Sequence, residues 1–144
     1  MVANRPFLLC LAFLTVGLSY SVLRVHAGEA PGTGLYTADQ AKRGAAEYQK
    51  QCASCHGDDL GGIDQSPPLN GDEFLSKYEG ESIQVLFDKI NKTMPATHPG
   101  LLTRPQTADV LAYILSSNKY SAGSTELPSD EASLKKIQLQ KPTQ

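Results

Sequence analysis

The reading of this chain turns on five residues, Cys52-Ala53-Ser54-Cys55-His56, or CASCH. Two thiols three positions apart can close a disulfide, supply half a zinc site or anchor a cofactor. A disulfide at that spacing closes a very small loop and constrains little of the unfolded chain. Zinc asks for four ligands, and the only other cysteine, Cys10, sits far upstream in an apolar run. A site of two cysteines and two histidines would have to recruit His56, which adjoins Cys55. With a histidine directly after the second cysteine, the spacing is the one used for covalent c-type haem attachment. On a helix, positions i and i+3 share a face, so both thiols can reach the vinyl groups along one porphyrin edge. His56 then lies under the ring as the proximal iron ligand. The alternative use of the pair, thiol–disulfide exchange without haem, expects a neighbouring β-α-β unit.

Working outward from the motif, the pattern is helical. Thr37 and Gln40 form a Thr-x-x-Gln capping box, and Asp39 lies in the first turn where the helix dipole favours it. Ala41, Gly44, Ala45, Tyr48 and Cys52 follow on one face, so this first helix runs straight into CASCH. Downstream, Gly57, Gly61, Gly62, Pro67, Pro68 and Gly71 describe a loop, and Asp72–Leu75 a single helical turn. Ile83, Leu86, Phe87 and Ile90 give a second amphipathic helix that must stop before Pro95. Thr103 and Gln106 repeat the capping box, and Val110, Leu111, Tyr113, Ile114 and Leu115 fill a third helix ending at Asn118, read as a left-handed cap. Ser129–Leu139 reads as a short helix, acidic at Asp130 and Glu131 and basic at Lys135 and Lys136. The predicted class is all-α: three main helices, short turns and no strand. Long Gly/Pro-rich loops in so small a domain argue for a bound object, and a large apolar cofactor would enlarge its thin core.

The first 27 of the 144 residues read as an address. Arg5 gives a basic start, an apolar run extends from Phe7 to Leu23, and Val25-His26-Ala27 offers a cleavage site. An uncleaved anchor is the competing reading. Thr15, Gly17, Ser19 and Ser21 interrupt the run, however, so removal and export to the periplasm are expected, without stable membrane insertion. The predicted organisation is a signal peptide (1–27), a flexible leader (28–36), a haem domain (37–118) and a C-terminal tail packed on or near it (119–144). The formal charge is −2 and no basic patch interleaves with aromatics, which excludes nucleic acid as a partner.

The iron's sixth position has few candidates. Beyond residue 27, Met94 is the sole methionine, and His56 and His98 are the only histidines. Met94 lies past the apolar stripe of the second helix, braced by Pro95, where a core-filling methionine has no reason to be. It is the favoured axial ligand, ahead of His98 or a vacancy. With His56 and Met94 both bound, the iron has no open place, and the chain is a one-electron carrier rather than an enzyme. A vacancy would instead suit a five-coordinate haem enzyme or gas sensor. Lys92, Arg104, Tyr78 and Asn70 are candidates for holding a haem propionate.

With CASCH, PPL at Pro67–Leu69, TMP at Thr93–Pro95 and LAYIL at Leu111–Leu115, the chain resembles class I cytochromes c over roughly Thr37 to Asn118. The resemblance implies one covalently bound haem c in a helical fold whose first and last helices cross beside it, Gly44 and Tyr48 meeting Tyr113. It also implies that the Pro67 carbonyl accepts a hydrogen bond from the His56 ring. Ser66 stands where the family usually has glycine. More closely, MPATHPGLLT and SNKYSAGSTELPSD are similar to small exported bacterial cytochromes associated with quinoprotein dehydrogenases. The partners this implies are a redox-protein donor and acceptor, such as a quinoprotein dehydrogenase and a terminal oxidase.

Overall fold

Thr37 opens the first helix with its backbone extended and its hydroxyl accepting the Gln40 N–H at 3.1 Å. Helix α1 then runs Ala38–Gln51, within residues 34–142, the part of the chain that the computed structural model describes. The capping box expected of Thr37 and Gln40 is only half made. The Gln40 side chain turns inward, where its amide donates to the Leu127 carbonyl (3.0 Å) and accepts the Leu127 N–H (2.7 Å). A carboxamide holds donor and acceptor side by side, so it can satisfy both backbone groups of one residue.

Five further helices follow: α2 (Ala53–His56), α3 (Gly71–Ser76), α4 (Ile83–Thr93), α5 (Arg104–Ser117) and α6 (Glu131–Leu134). The described residues hold no strand, only the isolated bridges Ile63–Ser66 and Ser82–Gln138, and the fold is all-α. At α5 the capping box is complete, with the Gln106 side chain taking the Thr103 N–H at 3.0 Å. Helices α1 and α5 cross at close quarters because Gly44 lacks a side chain; a Cβ there would run into the Asp109 carbonyl. One turn on, the Tyr48 and Tyr113 rings meet at 5.2 Å with planes 56° apart, a tilted geometry that adds about 0.5–1.5 kcal/mol to burial alone. Helix α4 lies on the same core, burying Ile83, Leu86, Phe87 and Ile90 with Val110, Leu111, Ile114 and Leu115.

Asn118 departs from expectation. Its φ is −94°, and the left-handed residue is Lys119 at +65°. The Asn118 side chain is buried and acts as a clamp. It donates to the Ile114 and Leu69 carbonyls, both at 2.8 Å, and accepts the Gly71 N–H at 3.0 Å. Asn70 provides no side-chain cap for α3, so Asn118 satisfies a donor at that helix start from across the fold.

The tail winds over the back of the helices, with Leu127, Leu134 and Leu139 each 2% exposed or less. Arg43 ties its start to the crossing, donating to both Asp109 oxygens (2.9 and 2.8 Å) and to Glu126 (2.8 Å). The expected helix over Ser129–Leu139 is shorter, since only Glu131–Leu134 is helical. Past it the backbone extends to bond with the segment before α4: Gly80 N–H to Leu139 O (2.8 Å), Leu139 N–H to Glu81 O (2.9 Å) and Ile83 N–H to Ile137 O (2.9 Å). Long-range backbone partners outweigh the local helical preference there. The leader also ends sooner than expected. Tyr36 is buried, its hydroxyl donates to the Tyr120 carbonyl at 2.5 Å, and its own carbonyl accepts the Gly123 N–H at 2.7 Å. The 1–27 segment and most of the leader lie outside the described residues, among which no helix is long and apolar enough to cross a membrane.

Candidate functional site

Cys52 marks a break between two helices. It caps α1, with φ −126° and its N–H on the Tyr48 carbonyl at 2.8 Å. A fresh turn then starts, in which Cys55 N–H (3.1 Å) and His56 N–H (2.9 Å) both return to the Cys52 carbonyl. The two cysteines and the histidine thus share one helical turn at the end of α1. Gly57, at φ +80°, redirects the chain directly after His56, a backbone state that suits glycine. Its carbonyl accepts the Tyr48 hydroxyl at 2.7 Å, and the His56 carbonyl accepts the Gly62 N–H at 2.8 Å. Burial, helped by the nearby Cys52, Tyr113, Asp59 and Asp58, pushes the Tyr48 phenol well above its ordinary pKa, so it stays a donor.

The loop from Gly57 to Gly71 folds back on the histidine. Leu60 is buried, the Leu69 N–H reaches its carbonyl at 2.8 Å, and the Ser66 N–H reaches the Ile63 carbonyl at 2.9 Å. This turn brings the Pro67 carbonyl to 2.9 Å from His56 Nδ1. A carbonyl only accepts, so Nδ1 carries the proton and Nε2 keeps the lone pair. Ser66 is compatible with that turn. Met94 comes from the other side of the fold as the cap of α4, its N–H on the Ile90 carbonyl at 3.1 Å.

Cys52, Cys55, His56, Pro67 and Met94 all line one cavity of about 260 Å³. Leu69, Phe74, Ile90, Val110 and Ile114 form its apolar walls. His98 does not line it; exposed, it lies 3.2 Å from Thr97 Oγ1 through Nδ1. Two unbridged thiols on one helical turn, an imidazole with a free Nε2 and a thioether, gathered on apolar walls, are a donor set that fits a haem. Cys52 is poorly suited to thiol exchange. Burial, then the charges of Glu47 and Cys55, push the Cys52 thiol up to about 11, whereas an exchanging thiol needs a lowered pKa. Among the described residues, no three His, Cys, Asp or Glu side chains cluster to hold a bare metal ion.

The propionate candidates sort unequally. Lys92 pairs with Asp88 at 3.0 Å, Asn70 donates to the Asp59 carbonyl at 2.6 Å, and Arg104 stacks over Phe87 at 4.6 Å while donating to the Ser129 carbonyl at 2.6 Å. Only Tyr78 of the four lines the cavity, alongside Lys77 and Lys89, which the sequence did not single out. Nor did it reveal the supports of His56 from Tyr48 and Gly62. Tyr48 sat on the core face, and its nine-residue separation from Gly57 crosses a helix break that no periodicity records.

Residues 39–114 match the family described as cytochrome c oxidase, cbb3-type, subunit III. Cytochrome c-551 of Bacillus subtilis (strain 168) is 34% identical over 115 residues, which cover 76% of this chain and 96% of that protein. The crystal structure of the sulfane dehydrogenase SoxCD from Paracoccus pantotrophus shares the fold, with a TM-score of 0.52 at 24% identity. The match covers 69% of this chain and 52% of that one, so this chain spans about half the length of that neighbour.

Proposed function

Since this chain belongs to that family, within the class I c-type cytochromes that carry single electrons on one covalently bound haem c, we propose which of its residues hold the haem and where it works. Cys52 and Cys55 form the thioethers, His56 coordinates the iron through Nε2, and Met94 supplies the second axial ligand. The observation that carries this reading is that all four side chains line a single apolar cavity although they come from two distant parts of the chain. Bound there, the haem supplies a one-electron Fe(III)/Fe(II) couple whose potential methionine ligation raises. The Pro67 carbonyl holds the Nδ1 proton of His56, which fixes the tautomer and the ring's orientation. Tyr48 and Gly62 hold the two successive carbonyls, of Gly57 and His56, that follow that ring's Cα, and the apolar walls keep water from the iron.

A methionine inside the cavity favours the six-coordinate carrier over the five-coordinate enzyme or sensor. The haem domain is the 37–118 segment with a C-terminal tail from residue 119 onward on or near it, and export to the periplasm is accompanied by removal of 1–27. The pattern of that segment and the attachment motif support export. A terminal oxidase as acceptor accords with the description of the family. A quinoprotein dehydrogenase as donor rests on the resemblance of MPATHPGLLT and the tail.

Haem staining after denaturing electrophoresis tests the thioethers, because only covalently held haem survives. Met94→Ala should keep the stain, abolish the sulfur-to-ferric charge-transfer band in the near infrared, open the ferrous protein to carbon monoxide and lower the reduction potential. An unchanged potential and band would exclude Met94 as the ligand.

A further inference from the structure

Met94 does not sit inside a helix. It caps α4 and opens the connection to α5, whose middle, residues 96–101, is exposed. Segments with few buried contacts open locally at free energies below that of global unfolding. A ligand carried on such a segment stays at a fixed point only if the segment is pinned at both ends. The entry is pinned by α4 itself, with the Met94 N–H on the Ile90 carbonyl at 3.1 Å and the Thr93 hydroxyl on the Lys89 carbonyl at 2.6 Å. Within the loop the backbone makes local turns, His98 N–H to the Pro95 carbonyl (2.9 Å) and Leu101 N–H to the His98 carbonyl (3.2 Å). The exit is tied back to α4 by Asn91, one turn ahead of Met94. Its Nδ2 donates to the Leu102 carbonyl at 3.0 Å and to the Thr107 hydroxyl at 2.9 Å. Thr107, 0% exposed, donates in turn to the Thr103 carbonyl at 3.0 Å, and Leu102 is buried. Gly100 passes over the same residue, since a Cβ there would stand 3.9 Å from the Asn91 carbonyl oxygen. A primary amide has two N–H donors, and both reach the far end of the loop. Asn91 itself does not line the cavity.

We propose that Asn91 is a positioning residue for the distal ligand: by tying Leu102 and Thr107 to α4 one turn ahead of Met94, it closes the loop on its own starting helix and limits how readily the thioether leaves the iron. The assignment rests on the reading of Met94 as the axial ligand. An Asn91 that merely joined α4 to α5 would lower the melting temperature when replaced, as any half-buried amide with two partners does. It would not single out the sixth coordination position.

The test is imidazole binding to the ferric holoprotein, followed by stopped-flow absorption. Imidazole reaches the iron only when Met94 is off it, so the rate at saturating imidazole reads the departure of the thioether. Asn91→Leu keeps most of the volume and loses both donors, and should raise that rate about tenfold, the worth of a buried hydrogen bond. Thr107→Val leaves Leu102 held and should raise it less, while Thr107→Ser, which keeps the hydroxyl, should restore the unsubstituted rate. Gln40→Ala, which loosens the tail elsewhere in the fold, should lower the melting temperature and leave the rate in place. A rate unmoved by Asn91→Leu, or moved as much by Gln40→Ala, overturns the assignment. Should Asn91→Leu fail to fold around haem, equal rates for Thr107→Val and Thr107→Ser overturn it instead. The near-infrared band is recorded on the same samples. If the unsubstituted protein lacks it, the Met94 reading fails; if it is present and the rates do not move, only the role of Asn91 fails.

Discussion

Gln40 gives the most demanding test of how the tail is held. Its side chain is 2% exposed and satisfies both backbone groups of Leu127, itself 2% exposed. Gln40→Ala removes both partners and leaves a buried N–H and a buried carbonyl. Each orphaned group costs about 1–3 kcal/mol, and entry of water into the vacated space offsets part of the sum, so we expect a loss of about 3 kcal/mol. For a domain of this size that is a fall in Tm of roughly 10–15 °C, read by circular dichroism on the holoprotein. Gln40→Glu adds a sharper signature. Its carboxylate still accepts the Leu127 N–H but faces the Leu127 carbonyl with no proton to donate. Burial raises the pKa of that new carboxyl above its unfolded value of about 4.3. A raised folded pKa contributes stability that is fully present below the unfolded pKa and is lost as pH rises through the folded one. Gln40→Glu should therefore approach the unsubstituted protein in acid and fall away from it toward neutral pH. A cost under about 0.5 kcal/mol for Gln40→Ala, or a Gln40→Glu deficit independent of pH, would refute the reasoning.

Gly44→Ala should force α1 and α5 apart, since the obstructing Asp109 carbonyl is backbone and cannot rotate away; overpacking of this kind costs about 1–3 kcal/mol and the upper end is expected. A melting temperature equal to that of the unsubstituted protein would show that the crossing does not require glycine. Tyr48→Phe should keep the ring against Tyr113 but leave the Gly57 carbonyl without its donor, a loss of about 1–3 kcal/mol by denaturant titration, with haem still covalently attached. No loss of stability would remove Tyr48 from the support of the His56 turn.

The parts of this molecule that could be read in advance are those whose determinants are local. CASCH is contiguous, the α4 stripe repeats at helical spacing, and the Thr103–Gln106 box closes within one turn, so each can be recognised without knowing what lies across the fold. Met94 could be singled out because no other methionine remained beyond the first 27 residues. The misreadings share the opposite property. Gln40 and Asn118 both sit where a local cap was plausible; Gln40 spends its side chain on backbone 87 residues distant, and Asn118 adds partners 47 and 49 residues away to its one local bond with Ile114. Ser129–Leu139 has the charge pattern of a short helix but its second half extends to bond with residues 80–83. A polar side chain that can serve either a local or a remote partner leaves no trace of the choice in sequence spacing.

The same contrast explains how the site is built. The residues proposed to bind haem lie in two short segments, Cys52–His56 and Met94, and each segment follows a helix whose start is capped locally. What brings the segments to one cavity is not local. Asn118 joins the end of α5 to Leu69 and Gly71, closing the loop that carries Pro67 to His56, while the tail bonds to residues 80–83, which lead into the first residue of α4, the helix that delivers Met94. The first helps set the proximal ring and the second anchors the start of the distal helix. Changes at the tail's extended end, Ile137–Leu139, should therefore act first on the start of α4 and the Met94 side, whereas changes at Glu126 or Leu127 act first on α1, the helix that leads into His56.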